Sequence, residues 1–434
     1  MTLTGARDRS AVAAAMAEDR HDLHRHAEPG WCEVRTASLV ARRLAELGYE
    51  VRTGREVLTE ERLGLPPPEE LDDAYRRALE QGADREYAEQ LRDGYTGVVA
   101  TLAADRPGPV VALRFDIDAN YGHESSDPAH TAERAGYRSV NAGAHHSCGH
   151  DAHTAIGLAV AADLAGFADR LSGEVRLIFQ PAEEGLRGGP AMVAAGVADS
   201  VDYLIGCHIG VQATTTGQVI AGYRKILASH KFDVHFSGRN AHAGISPHEG
   251  RNAVQAAAVA VTNLLAISRH GDGETRVNVG TIEGGETRNA VPARATLRGE
   301  VRADDNEILD YLMERVDDVV RGAAAITGVE ARTEVAGGAE GASSTLALAA
   351  VVARVAGRVE GVSEVRDTAD FKGSDDMSCF MTAVQGSGGQ AVYFGLGSQL
   401  GDVHHAPFFD VDDDALVIGR DIFLGCLREL GSLR

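Results

Sequence analysis

Cationic side chains are in short supply in this chain: 42 Lys and Arg stand against 64 Asp and Glu. The formal net charge is −22 at pH 7 and the sequence pI is near 5.2. So negative a surface repels nucleic acid and anionic membrane faces, and both are excluded as expected partners. Long apolar runs are missing as well, since no stretch approaches the roughly 18 residues that a membrane span requires. The first residues, MTLTGARDRSAVAAAMAEDRHDLHRH, interrupt their alanine-rich run at Glu18, Asp19 and Arg20. They lack the cationic-then-apolar order of a secretory signal. Cysteine is sparse: Cys32, Cys148, Cys207, Cys379 and Cys426 form an odd, scattered set without a Cys-x-x-Cys. This argues against a disulfide framework and a thioredoxin-type site, and for free thiols in the cytoplasm. Internal repeats and low-complexity tracts are absent too.

What is present is an ordinary globular composition, 44% hydrophobic and 24% charged, with 50 glycines. At 434 residues the chain exceeds the usual size of a single core, so two domains are expected. Apolar spacing predicts a helix over 11–25 and a second over 36–47, stopped by Gly48. The segment 61–94 opens with three prolines and continues with dense charge at helical spacing, which predicts a solvated helical insertion within 55–95. Strand-like runs follow in GVVATL, PVVALRFDID, EVRLIFQ, VDYLIGCHI and QAVYFGLG, with helix-like stretches between several of them. That alternation predicts an α/β layer with a mainly parallel central sheet. From 223 to 335 the texture changes to alternating strands (KFDVHFSG, TRVNVGTIEGG, ATLRGEVRA) around two helices. An inserted α+β two-layer sandwich is expected there, dividing the first domain into 1–222 and 336–434.

Polar clusters sit where the apolar strands end, the place at which open α/β sheets gather ligands. Asp116 and Asp118 close one strand, Glu183 and Glu184 another, and His208 a third. HSCGHDAHTA places Cys148 and His150 two residues apart on a loop, and VHHAPFF supplies His404 and His405. No second Cys/His pair at zinc-finger spacing accompanies them. Singly, each group has a bland reading: a core imidazole with a polar partner, or a solvated acid pair. Together, Cys148, His150, Glu184, His208 and one terminal histidine make a mixed N, S and O set suited to a pair of divalent transition ions. Such a pair activates water and polarises a carbonyl oxygen, with Glu183 free to handle the proton. His145, His146 and His153 are expected as supporting or helix-start residues. A nucleophilic Cys148 is the competing reading, with no Cys/His/Asn set to support it.

The motifs HSCGHDAHTA, FQPAEEG, CHIG, SGRNAHAG, RNAVPARATLRGEVR, GSDD and HHAPFF run in order along nearly the whole chain. They resemble the M20 metallopeptidase family, in its amidohydrolase/aminoacylase branch. The resemblance implies a di-metal catalytic domain with an inserted lid that also dimerises. It implies Cys148, His150, Glu184, His208 and His405 as ligands of two divalent ions per protomer, Zn²⁺ or Mn²⁺, and Glu183 as general base. Of the two terminal histidines, His405 fits the family's His-x-x-x-Phe pattern ending at Phe409. His242 is implied as an oxyanion-stabilising residue reaching a neighbouring protomer's site, and Asn289 and Arg302 as holders of the substrate carboxylate. Read alone, these three would be a turn residue, a strand-end cap and a surface cation. Asp116 and Asp118 fall where the family places an acid that orients a histidine ligand. Asp375 in GSDD departs from the family's usual Glu.

The implied reaction is hydrolysis of an N-acyl or N-aroyl amino acid, with an acidic product such as glutamate or aspartate, by attack of a metal-bound hydroxide. A homodimer through the lid, or a heteromer with a paralogous chain, is expected. Alternatives are another amide substrate of the same family, such as a dipeptide, a carboxypeptidase substrate or an indole-acetyl conjugate. Beyond these stand a non-catalytic, regulatory member of a hetero-oligomeric hydrolase and a redox or metal-storage protein.

Overall fold

A computed structural model describes residues 8–434, which form two compact units. The larger holds the chain through Arg224, then Ser343–Phe371 and Asp375–Arg434; the smaller holds Lys225–Ala342 and Lys372–Ser374.

Helix α1 (Arg9–Arg25) starts two residues before the apolar spacing suggests, because the Asp8 carboxylate accepts the Ser10 N–H and caps it. Helix α2 (Val34–Glu46) ends just before Gly48, whose φ of +88° turns the chain into strand β1 (Glu50–Thr53). The charged segment then forms α3 (Pro68–Glu80) and α4 (Arg85–Gln90). It is not solvated all round: Ala78, Ala88 and Leu91 enter the same core as α2. Strands β2 (Val98–Ala103) and β3 (Val110–Asp116) follow, then helix α5 (His150–Gly166), strand β4 (Glu174–Gln180), helix α6 (Gly188–Ala194), and strands β5 (Tyr203–Ile209) and β6 (Gln218–Ile220).

The smaller unit comprises β7 (Ala228–Ser237), α7 (Ala253–Leu264), β8 (Thr275–Gly284), β9 (Arg294–Ala303), α8 (Asn306–Thr327) and β10 (Glu330–Ala339). Its strands make an antiparallel sheet in the order β8-β9-β7-β10. Period-2 alternation buries Phe232, Val234 and Phe236 of β7 against Leu312 and Val316 of α8, while Asp233 and His235 stay partly exposed. The unit extends past Val335 because β10 pairs with β7 through Ala339.

The chain returns to the larger unit with α9 (Leu346–Ala356), β11 (Glu364–Arg366), α10 (Met377–Gly386), β12 (Gln390–Leu396) and α11 (Asp414–Glu429). The eight-stranded sheet has the order β1-β2-β4-β3-β5-β12-β6-β11. Its four central strands, β4-β3-β5-β12, run parallel, and the pairings β1–β2, β2–β4 and β12–β6 are antiparallel. The carboxyl ends of the parallel four therefore share one edge. Helix α5 lies against this sheet and against α1 and α11, and nearly all its side chains are buried. Gly157 permits the approach, since a Cβ there would stand 2.7 Å from Phe179 and 2.8 Å from Phe115. No helix among the described residues is long and apolar enough to cross a membrane.

Candidate metal centre

Each central strand delivers its polar residues to the shared edge. Strand β3 ends at Asp116, with Asp118 two residues on, and β5 carries His208 next to its last residue. After β4 the chain turns sharply at Ala182, φ +52°, to reach Glu183 and Glu184. That turn is pinned: buried Glu33 accepts the Ala182 N–H at 2.8 Å with one oxygen and the Thr96 hydroxyl at 2.6 Å with the other. The loop beyond β12 brings His405 in at φ +67°, and its N–H donates to the Ser147 carbonyl at 2.8 Å. Such backbone costs on the order of 1–3 kcal/mol per residue and persists where surrounding contacts fix it. Cys148 and His150 flank Gly149, φ +88°, where a Cβ would meet Ile209 of β5 at 2.4 Å.

The donor atoms converge. Those of Cys148, His150 and His208 lie within 4.8 Å of one another, as do those of Cys148, Glu184 and His405, and of His150, Glu183 and Glu184. Cys148 Sγ is 3.5 Å from His208 Nε2, and His405 Nε2 is 3.5 Å from Glu184 Oε2. His150 Nε2 lies 3.8 Å from Glu183 and 3.9 Å from Glu184, buried and without a hydrogen-bond partner. The other ring nitrogen, Nδ1, faces the Asp118 carbonyl at 2.9 Å and carboxylate at 3.2 Å. That contact places the proton on Nδ1 and leaves the Nε2 lone pair toward the cluster. A buried lone pair among carboxylates and a sulfur is a set of electron donors that fits a cation. His404 turns away: its Nε2 meets the Ile209 carbonyl at 3.2 Å.

Burial pushes Glu183 well above the usual carboxylate range, and the carboxylates of Asp375, Glu184 and Asp376 push the same way. Glu184 is the opposite case: burial opposes ionisation, but His405 and His150 hold it at about 2. Burial and the Glu184 charge raise the Cys148 thiol well above its ordinary value, with His150 opposing. A thiol so raised is a poor free nucleophile.

Behind these groups lies a buried network in which Asp116, His153 and Asp375, expected from the sequence as supporting residues, meet Arg114, Gln180, Asp376 and Tyr393, which sequence reasoning missed. The Arg114 guanidinium meets Asp116 at 2.5 Å, Asp376 at 3.2 Å and Asp375 at 3.4 Å, and donates to Gln180 at 2.7 Å. Asp116 also takes His153 Nδ1 at 2.5 Å, while His153 Nε2 accepts the Ile209 N–H at 3.0 Å. Asp375 accepts the Tyr393 hydroxyl at 2.6 Å and the Met377 N–H at 2.8 Å. The signal for Arg114 was in the sequence: a charge inside the apolar run VVALRFD needs buried partners.

His242, Asn289 and Arg302 belong to the smaller unit. His242 is exposed, and its Nδ1 accepts the N–H groups of Gly244 and Ile245, both at 3.1 Å, so the proton sits on Nε2. Asn289 is exposed and its carbonyl accepts the Ala243 N–H at 3.0 Å, beside the short antiparallel ladder in which His242 pairs with Ala290. The Arg302 guanidinium is gripped along one edge by Glu300, with both contacts at 3.0 Å.

Residues 112–429 match the peptidase family M20/M25/M40. The chain is 44% identical over 411 residues to one of the subunits of p-aminobenzoyl-glutamate hydrolase from Escherichia coli, covering 94% of each chain. It is 44% identical over 405 residues to indole-3-acetyl-aspartic acid hydrolase of Enterobacter agglomerans, covering 93% of each. The fold matches the crystal structure of aminobenzoyl-glutamate utilization protein from Klebsiella pneumoniae with a TM-score of 0.83 and 39% identity, over 97% of this chain and 96% of that one. A dinuclear metal-binding M20 peptidase from Bacillus subtilis shares the fold at a TM-score of 0.67 and 22% identity, over 98% of this chain and all of that one. Sequence and fold thus agree, and the chain belongs to the M20/M25/M40 family of peptidases.

Proposed function

We propose that the chain hydrolyses the amide bond of an N-aroyl or N-acyl acidic amino acid, p-aminobenzoyl-glutamate or indole-acetyl-aspartate being the nearest models of the substrate. The observation that carries this reading is the convergence of Cys148, His150, Glu183, Glu184, His208 and His405 at one sheet edge, with the His150 Nε2 lone pair buried among acids. Cys148, His150, Glu184, His208 and His405 would hold two divalent ions, Zn²⁺ or Mn²⁺. When bound, such a pair supplies Lewis acidity toward a carbonyl oxygen and toward water.

This chain's own groups do the rest. Asp118 fixes the His150 tautomer, and Asp116 fixes His153 beside it. Glu183, raised by burial and by its acidic neighbours, takes a proton from the attacking water and returns it to the leaving nitrogen. His242, with its proton held on Nε2, offers a donor for the oxyanion of an active site, as the resemblance assigns it. Asn289 and Arg302 would hold the substrate carboxylate, the Glu300 grip fixing the direction of the guanidinium. The smaller unit would act as lid and dimer contact, and a second, paralogous chain is a further expectation.

The test is direct. Glu183→Gln keeps side-chain volume and the metal ligands but removes the base. Its bound metal should equal that of the unmodified chain, while kcat toward p-aminobenzoyl-glutamate or indole-acetyl-aspartate falls by about 10²–10⁴-fold. Full activity in the Glu183→Gln enzyme would refute the role of Glu183. Equal turnover of aliphatic N-acyl neutral amino acids would refute the substrate class.

A further inference from the structure

A second cluster of imidazoles is built from the chain just before Cys148. Four donors meet there: His24 near the end of α1, Glu124 and His130 in the segment after β3, and His145. Each has a residue exposure of 3% or less. All three rings aim a nitrogen at one oxygen, Glu124 Oε1. His24 Nε2 stands 2.9 Å from it, His130 Nε2 2.9 Å and His145 Nε2 3.8 Å. None of these residues enters the site described above.

We propose that His24, Glu124, His130 and His145 bind one divalent transition ion, Zn²⁺ by preference, as a structural site separate from the paired centre. Tetrahedral zinc with bonds of about 2.0–2.1 Å sets its ligand atoms about 3.3 Å apart. The three separations from Glu124 Oε1 fall within about half an ångström of that spacing. Hydrogen bonding alone does not account for the cluster, because His145 Nε2 is buried and has no partner. A cation would meet the donor atoms of His24, Glu124 and His145, which lie within 4.8 Å of one another, and His130 Nε2 stands 2.9 Å from the same Glu124 oxygen. The outer contacts have the form that zinc sites use. His24 turns its other nitrogen, Nδ1, to the Asp151 carboxylate at 2.8 Å, and the second oxygen of Glu124 accepts the Ser139 N–H at 2.7 Å. Three imidazoles and one carboxylate select zinc over magnesium or calcium, which prefer oxygen.

Such an ion would cross-link α1, the segment 124–130 and the short ladder in which His145 pairs with Asn120. It would thereby brace the three residues leading into Cys148. The four ligands are 121 positions apart from first to last, so the site closes a long loop of chain.

The experiment counts zinc in the full-length chain after metal removal, reloading and gel filtration. His145→Met removes a nitrogen that makes no hydrogen bond and leaves a side chain that fills irregular space. It should bind one Zn²⁺ fewer per chain than the unmodified protein. The difference is the same whether the Cys148 cluster holds two ions or none, so failure of that reading is distinguishable from failure of this one. Equal counts would overturn the site. A second measurement stands if His145→Met does not fold. In a C148S/H208A chain loaded with Co²⁺, one equivalent should remain, with four-coordinate visible absorption and no thiolate charge-transfer band. Absence of that absorption would overturn the proposal.

Discussion

Arg114 is the guanidinium shared by Asp116, Asp375 and Asp376, all fully or nearly fully buried. Removing one partner of such a set leaves uncompensated charge, which costs about 3–5 kcal/mol. After burial itself, the charge of Asp375 is the largest influence raising Glu183, the proposed general base, with Asp376 acting the same way. Asp375→Asn keeps an oxygen for the Met377 N–H but deletes that charge. A neighbouring negative charge raises a carboxyl group's pKa, so its loss lowers that of Glu183. The acidic limb of the kcat/KM profile should move to lower pH in Asp375→Asn, and an unmoved limb would separate Asp375 from the base. At this scale the sequence was readable in part. Cys148, His150, Glu183, Glu184 and His208 stood out because each closes an apolar run or an unusual cluster. Arg114, Glu33, His24 and Glu124 did not, because each needs at least one partner tens to hundreds of residues away, which only folding brings in.

Elements were more legible than their partners. The strands β2, β3, β4, β5 and β12 coincide with the five apolar runs, because burial on both faces leaves continuous hydrophobic sequence. The short strands β6 and β11 at one end of the sheet, three residues each, carry too little pattern to be seen. The insertion read as solvated because its charge hides an alanine stripe: Ala74, Ala78 and Ala88 are small enough to seat helices closely without an apolar signature. Helix α5 depends on the same economy of volume. Gly157→Ala would drive a methyl group into Phe115 and Phe179, an overpacking that costs about 1–3 kcal/mol. Because α5 carries His150 at its first position, activity should fall with stability. Gly166→Ala at the far end of the same helix, where a Cβ meets nothing within 4 Å, should be neutral or slightly stabilising. Denaturant unfolding of the two variants side by side checks both expectations, and similar losses would mean that α5 is not held this closely.

At the level of the whole molecule, the proposed metal cluster draws on residues from Cys148 to His405 and so exists only in the folded chain. Ions that bind the native state and not the unfolded one stabilise by mass action, about 2.7 kcal/mol at a free concentration 100 times Kd. Chelation should therefore lower Tm, and readdition of Zn²⁺ or Mn²⁺ should restore it. A scanning-calorimetry trace indifferent to chelator would argue against metal at either cluster. The large negative charge, by contrast, bears on solubility and partners rather than on fold.

The strand order has a consequence for biosynthesis. Strand β12 sits between β5 and β6, yet it is the last strand to be made, after the whole smaller unit. Until it arrives, one side of β5 is an open edge of unpaired amides. At about 5–20 residues per second that exposure lasts roughly 10–40 s on the ribosome. An apolar strand edge left open so long is a template for wrong pairing. The nascent chain should therefore need chaperone cover until the segment carrying His405 has emerged.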